Sequence, residues 1–599
     1  MRRSPRAPRK SGAAPPAEAP PARGGPALPG WVTTPGVAWI ALLLAAYGAL
    51  QYRFVFSLPF VSDDYTILDK VGRASFISLW SAEHPLWGWY RPWSRELHFW
   101  TLSRLFGPAE LPFHGASLLL WVGVLAAYFT FVRRIMGTAT AVVAAAGAAT
   151  LAAWGSALSW AAGVQELWVL LFALLFLHAV AGRRRAAALL ALAGALLSKE
   201  TAAVLPAIAF LYALVIDRDR PAAALRRVAP QLGMVALWAV LHPFLRARLA
   251  GHAAQSAADS GALSPGSIAL RTALSFVNLD QWPEPEIGWL GALIPALPGI
   301  VMLAAGAAWA LRRAPAPAAP APSDPAVRAR LLPAVSARSF ALFALGWAVL
   351  GALPLFMPTV GWLSYYALLS ALGAWAALSA GLARRPALAI AAVALVAALQ
   401  PVHAATPSYE WASDWFQRRA AFFVGRLKRD LLQRHPTLPP ESRLYFSGVP
   451  NGTGIGRPWF NPAFRVWYRD STLTGDFVGN YLPRSGSEPQ DRDYFFRFDE
   501  GALAWVEVIR GAEDVARERG ANAGWESDHR ELALQLGNSG DWRGAAGEIE
   551  KLMGVFPDDP QYPRNLSLCL GSLGDTLGMK RALRIADSLQ AARGAEGKR

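Results

Sequence analysis

The sequence predicts a polytopic α-helical membrane protein of about 11 transmembrane helices, followed by a small external α/β module and C-terminal tetratricopeptide-like helices. Three observations predict this class. Hydrophobic residues make up 54% of the 599 and charged residues only 17%, far more apolar surface than one soluble core uses. Apolar runs close to the ~20 residues of a bilayer crossing recur along the first two thirds of the chain. Arginine clusters follow every second run, which is the positive-inside pattern.

Residues 1–30 are rich in Pro, Ala and Arg and hold almost no large apolar residue, so they predict a disordered, basic, cytoplasmic tail. The first apolar run, about 36–57, lacks a small-residue cleavage site and reads as a retained signal anchor. Further runs fall at about 112–132, 137–155, 160–180, 228–245, 287–311, 339–357, 365–382 and 386–403. Arg133-Arg134, Arg183 to Arg185, Arg218 with Arg220, Arg226-Arg227, Arg312-Arg313 and Arg384-Arg385 are then all cytoplasmic together. Between Arg185 and Arg218 a mostly apolar stretch has basic residues at both ends, so it is expected to go out and return, turning at Ser198-Lys199-Glu200. The alternative is one long tilted helix of roughly 48 Å, which would invert the remaining arginine clusters. The hairpin completes eleven spans within a membrane domain at 31–405 and leaves the C-terminus outside.

Net charge is +16, but the excess sits beside apolar runs, which indicates topology and excludes a nucleic-acid partner. Cys569 is the only cysteine, so no intramolecular disulfide or multi-cysteine metal site exists. Beyond the last span, 406–524 reads as a soluble module in which Leu444–Ser447, Phe464–Tyr468 and Tyr494–Phe498 are expected strands. In 525–595 the pattern turns helical. Leu532–Asp541 reappears as Leu566–Asp575, an offset of 34 residues with six of ten positions identical, which is the tetratricopeptide period. Two repeats are fewer than such arrays usually need, so the pair is expected to pack on the preceding module.

The first external loop, about 58–111, concentrates the groups that carry chemistry: Asp63, Asp64, His84, Trp87, Trp89, Tyr90, Arg91 and Arg95. Its order of Ser62-Asp-Asp-Tyr65, Tyr90-Arg-Pro92, Leu105-Phe-Gly107 and Phe113-His114 resembles the GT-C glycosyltransferases, and most nearly the protein O-mannosyltransferases and their tetratricopeptide-bearing relatives. Ser198-Lys-Glu200 followed by Pro206, and Trp160 with Gln165-Glu166, fit the same group. The resemblance covers about 36–405. It implies the GT-C fold and an inverting transfer of a monosaccharide from a polyprenyl-phosphate donor to an acceptor hydroxyl, at the outer face of a bacterial cytoplasmic membrane. A tetratricopeptide tail favours a protein acceptor, or a protein partner, over a lipid or cell-wall glycan. A transporter is the competing class, although its ionisable residues would be expected near the bilayer midplane.

By this resemblance Asp63 is the general base. In an extended segment Asp64 would point to the opposite face and either orient the loop or bind a cation; a helix-capping pair is the plainer alternative. Arg91 suits bidentate grip of the donor phosphate, and Lys199 at a hairpin tip calls for an anion, unless it pairs with Glu200 or snorkels to the headgroups. Arg95 could share the face of Arg91 or simply be solvated. His84, Trp87, Trp89 and Tyr90 either shape a sugar pocket or form the interfacial belt. Gln165 and Glu166 are expected to line the cavity with Glu200, and Tyr365-Tyr366 fall where relatives carry a Tyr-rich motif. Trp362-Leu-Ser364 stands before them where an Arg is often found, which weakens a phosphate role for that loop. No organic cofactor is implied. The His spacing indicates no transition-metal site, and a divalent cation stays open.

Overall fold

A computed structural model describes residues 35–596, apart from 83–84, 243–244, 246–262, 282–288, 314–334, 358–361, 409, 412, 451–452, 482–483, 485–491, 509–524, 539 and 557–558. The N-terminal tail and His84 therefore lie outside the described residues. Six helical segments are long and apolar enough to cross a membrane: Glu110–Met136, Ala161–Ala181, Leu290–Arg312, Ala337–Phe356, Ser364–Leu382 and Pro386–Ala405. By length and composition this is a multi-pass membrane protein.

The bundle contains, in chain order, α1 (Pro35–Gln51), α2 (Asp63–Gly72), α3 (His98–Phe106), α4 (Glu110–Met136), α5 (Thr138–Ala149), α6 (Trp154–Ser159), α7 (Val164–Ala181), α8 (Arg185–Leu196), α9 (Leu205–Val215) and α10 (Pro221–Leu241). After these come α11 (Pro265–Ser275), α12 (Trp289–Leu293), α13 (Leu297–Arg313), α14 (Ala337–Ala352), α15 (Leu368–Leu382) and α16 (Pro386–Ala405). A helix stands at each expected apolar run, but α1, α5, α8 and α9 are short, at 17, 12, 12 and 11 residues. Small residues let helices approach closely: a Cβ on Gly147 would lie 2.0 Å from the Trp375 ring, and one on Gly373 2.5 Å from the Ala348 backbone. Leu342, Leu345 and Val349 leave a bare stripe on α14, the face expected against hydrocarbon rather than water.

The stretch between Arg185 and Arg218 does return on itself. Arg183 and Asp217, from its two ends, lie 3.6 Å apart, and Arg227 also pairs with Asp217. Its tip is fastened to the first loop, where Trp93 N–H donates to the Leu197 carbonyl at 3.2 Å and Ser94 Oγ to that of Ser198 at 2.7 Å.

Beyond α16, the amphipathic α17 (Asp414–Arg434) buries Phe416, Ala420, Phe423, Leu427 and Leu431 on one face, and the Ser413 hydroxyl caps it by accepting from Phe416 N–H at 3.0 Å. It lies between the bundle and a four-stranded sheet of order β2-β1-β3-β4, with β1 Arg443–Ser447, β2 Thr474–Phe477, β3 Asp493–Asp499 and β4 Ala504–Glu507. The expected strand at 464–468 is instead the end of α18 (Arg457–Tyr468). β1 pairs in parallel with β2, and parallel neighbours need a crossover, which α18 supplies. Its aromatics Phe460, Phe464 and Trp467 recur at helical spacing; Phe460 and Phe464 stack on Phe446 of β1 at 4.8 and 5.6 Å, and Trp467 packs edge-on to Phe464.

Four helices close the chain: α19 (Trp525–Asn538), α20 (Trp542–Val555), α21 (Gln561–Ser572) and α22 (Thr576–Glu596). The turns of the two pairs are alike. Gly540 and Gly574 have φ of 83° and 80°, and Asp541 and Asp575 then accept from Gly544 and Gly578 N–H at 2.9 and 2.8 Å. The 34-residue repeat is thus a repeated helical hairpin. It meets the sheet module where the ring of His529 faces Asn480 and Glu548.

Candidate active site

Asp63 and Asp64 open α2 rather than an extended segment, so the expected back-to-back orientation is corrected to the rotation of about 100° between helix neighbours. The two carboxylates still part company. Asp64 is turned into protein, accepting from Val61 N–H at 3.0 Å and Ala162 N–H at 2.7 Å. Asp63 faces a cavity and accepts from the Trp459 indole N–H at 3.2 Å. Ser62, just before them, has a left-handed φ of 50°, a strain characteristic of functional turns. Burial pushes the Asp63 carboxyl up to about 6, against the Trp459 hydrogen bond and the more distant pull of Arg95 and Arg91. Burial pushes Asp64 up to about 8, with its backbone donors pulling down and the Asp63 charge adding to the rise.

The cavity has a volume of about 390 Å³. It brings Asp63 together with Arg91, Lys199, Gln165, Glu166, Glu200, Tyr365 and Tyr366, residues scattered over 300 positions of sequence. Arg91 binds Glu200 through Nε at 3.0 Å and Nη2 at 2.6 Å, gives Nη1 to Gln165 Oε1 at 3.0 Å, and lies over the Trp89 ring. Lys199 does not pair with its neighbour Glu200. It pairs with Glu166 across the cavity and sits 3.9 Å above the Tyr366 ring and 4.9 Å from that of Tyr365. Tyr90 is not part of the lining, since its hydroxyl donates to the Trp80 carbonyl at 2.9 Å.

Arg95 is neither solvated nor at a headgroup. It is 1% exposed, pairs with Glu96 at 2.6 Å, donates to the Leu86 and Trp89 carbonyls, and still borders the cavity. Lys70 completes this buried knot at 3.1 Å from Glu96. The knot holds the loop around a short π-helical turn, Pro92–Leu97, a local irregularity frequent at functional sites.

Several participants were not singled out by sequence. Trp459 and Trp411 stack at 5.2 Å from different segments of the external module, and Trp411 lines the cavity. Thr201 Oγ1 also borders it, as does Nε1 of Trp160, which the sequence had marked, and both are buried polar atoms without a hydrogen-bond partner among the described residues. A ligand rich in hydroxyls would satisfy both. Val204, Leu245, Leu353, Met357 and Leu363 add apolar surface to the wall. Among the described residues no three of His, Cys, Asp and Glu converge on a common point, as a metal cage would require.

No protein-family model and no curated protein matches the chain. The chain is similar to two solved structures of ArnT. These are ArnT from Cupriavidus metallidurans bound to undecaprenyl phosphate, at 15% identity and TM-score 0.38, and the same protein in the apo state, at 17% and 0.36. Each comparison covers 78% of this chain and 94% of that chain.

Proposed function

We propose that the chain is an inverting GT-C glycosyltransferase that moves a monosaccharide from a polyprenyl-phosphate donor to an acceptor hydroxyl, on a protein, at the outer face of a bacterial cytoplasmic membrane. The observation that carries this reading is the cavity that unites Asp63 with Arg91 and Lys199 and that apolar side chains line as well as charged ones. An anionic sugar phosphate on a hydrocarbon tail has the same two-part character.

In this reaction the acceptor oxygen bonds to the anomeric carbon while its proton passes to Asp63. The bond from that carbon to the phosphate oxygen breaks, and polyprenyl phosphate leaves. Arg91 and Lys199 stabilise the charge gathering on the departing phosphate. Glu200 and Glu166 keep both cations in place before the donor arrives, and the phosphate shares them on binding. Thr201 and Trp160 supply donors for the sugar hydroxyls. Asp64 is a positioning residue, fixing the start of α2 through two backbone amides.

The test combines two measurements. Mass spectrometry of exported and membrane proteins, with and without this chain, should show the loss of one hexose or pentose. Reconstituted Asp63→Asn should lose transfer while keeping its folding and its binding of the lipid donor. Full transfer by that variant would remove the assignment, and a sugar lost only from lipid or glycan would replace the protein acceptor.

A further inference from the structure

A second cavity, of about 370 Å³, lies at the other end of α7, some 15 residues or ~22 Å along the helix from Gln165. It is enclosed where α7 ends and where α8 and α10 begin. Arg183, Arg184, Arg185, Arg226 and Arg227 all line it, and among the described residues Asp219 is the one carboxylate in its wall. Asp217 stands alongside, paired with Arg227 and 3.6 Å from Arg183. Five guanidinium groups against two carboxylates leave an excess of three positive charges.

The five arginines are not equivalent. Arg227 is committed, since it binds Asp217, Asp219 and the Val180 carbonyl and so ties α10 to the end of α7. Arg226 donates to the Ala222 carbonyl of its own helix, which leaves its charge unopposed. Among the described residues no carboxylate lies within salt-bridge distance of Arg184, Arg185 or Arg226. Arg183 holds a left-handed φ of 55°, directly after Gly182, which would adopt that conformation at no steric cost. An arginine is kept at the strained position nonetheless.

Basic residues beside apolar helices need no ligand to explain them, because they set orientation. Here they surround a concave space whose floor is apolar, formed by Val180, Ala188 and Val228. Guanidinium forks match phosphate oxygens, and basic pockets between helix ends are the usual seats of anionic headgroups. We propose that this cavity binds the phosphate of an anionic membrane lipid, from the leaflet opposite the Asp63 cavity. Free phosphate offers the same oxygens, but it gains nothing from an apolar floor set among helix ends.

The full-length protein, reconstituted in nanodiscs of equal phosphatidylglycerol and phosphatidylcholine, is released and weighed with its retained lipids by native mass spectrometry. The wild type should keep phosphatidylglycerol preferentially. The double variant Arg184→Gln with Arg226→Gln spares the Arg227 pairs and should retain about 10- to 30-fold less. Arg384→Gln with Arg385→Gln, at a different basic marker, should behave as wild type. Equal retention in the first pair, or an equal loss in both pairs, overturns the proposal. Displacement of the lipid by millimolar inorganic phosphate would assign the cavity to a soluble anion and overturn the lipid source. Should the double variant melt early, Arg226→Gln alone is used: about fivefold weaker retention supports the site, and unchanged retention overturns it.

Discussion

At Asp63 the decisive property is a carboxyl held at about 6 by burial. A general base must be ionised, so transfer should fall as pH drops through about 6, where an ordinary aspartate would hold to about pH 4. A pH-rate profile of the reconstituted protein checks this, and an acid limb at pH 4 would count against Asp63. Asp63→Asn should lower the rate by roughly 10² to 10⁴ above pH 6 and remove the acid limb, the deficit shrinking at lower pH where the wild type's own base is protonated. The Trp459 N–H favours the charged carboxylate, so Trp459→Phe should raise the Asp63 pKa and move the acid limb to higher pH while the ring remains stacked on Trp411. A limb left in place would make Trp459 packing alone. Lys199 was legible because a charge at the tip of an apolar hairpin demands a reason; Asp63 was reached through the Ser62-Asp-Asp-Tyr65 resemblance, and Arg91 through the fit of a guanidinium to phosphate. Trp459 was not legible, because nothing in the 396 residues between it and Asp63 indicates the contact. Of the alternatives for Lys199, pairing with adjacent Glu200 does not occur: helix packing brings Glu166 to it instead, a partner that adjacency could not show.

Among the elements, apolar length was the readable signal. Each expected span has a helix, and the out-and-back course of 185–218 followed from requiring both arginine clusters on one side. Sequence overstated one length, since α5 stops after 12 residues, about 18 Å, well short of a ~30 Å hydrocarbon core, whereas the two helices of the 185–218 hairpin are short as expected. The amphipathic α17 escaped notice because its basic face masks its apolar one, and α18 was misread as a strand because aromatics favour strands until a parallel crossover is required. Close packing of α14 on α15 makes its own prediction. Gly373→Ala would place a Cβ 2.5 Å from backbone of Ala348, where no side chain can rotate away. It should destabilise the bundle by about 1–3 kcal/mol, read as a lower melting temperature in detergent, and an unchanged melt would show that the two helices part easily.

For the whole molecule, the module beyond α16 is a wall of the Asp63 cavity rather than an appendage. Ser62 donates to the Gly454 carbonyl at 3.1 Å, Lys428 pairs with Glu110 at 2.7 Å, and Trp459 reaches Asp63. The repeated helical hairpins touch that module through His529, and α19 also packs against the Leu86–Gly88 turn that carries the lining residue Trp87, but among the described residues they give no side chain to the cavity wall itself. Deleting 525–596 should therefore leave transfer to a small soluble acceptor largely intact. If the hairpins recruit a protein acceptor, transfer to that protein should fall by about tenfold or more through lost effective concentration. Equal loss for both acceptors would make the hairpins a structural prop.

The contact between Trp459 and Asp63 also has a meaning in time. At about 5–20 residues per second, a ribosome needs roughly 20–80 s to add the 396 residues that separate them. Throughout that interval the membrane bundle is already being inserted while its chamber stands without one side. Until Trp459 is made and stacks on Trp411, Asp63 stands without the indole N–H it accepts from, so the cavity is complete only once the module that follows α16 has folded onto the bundle.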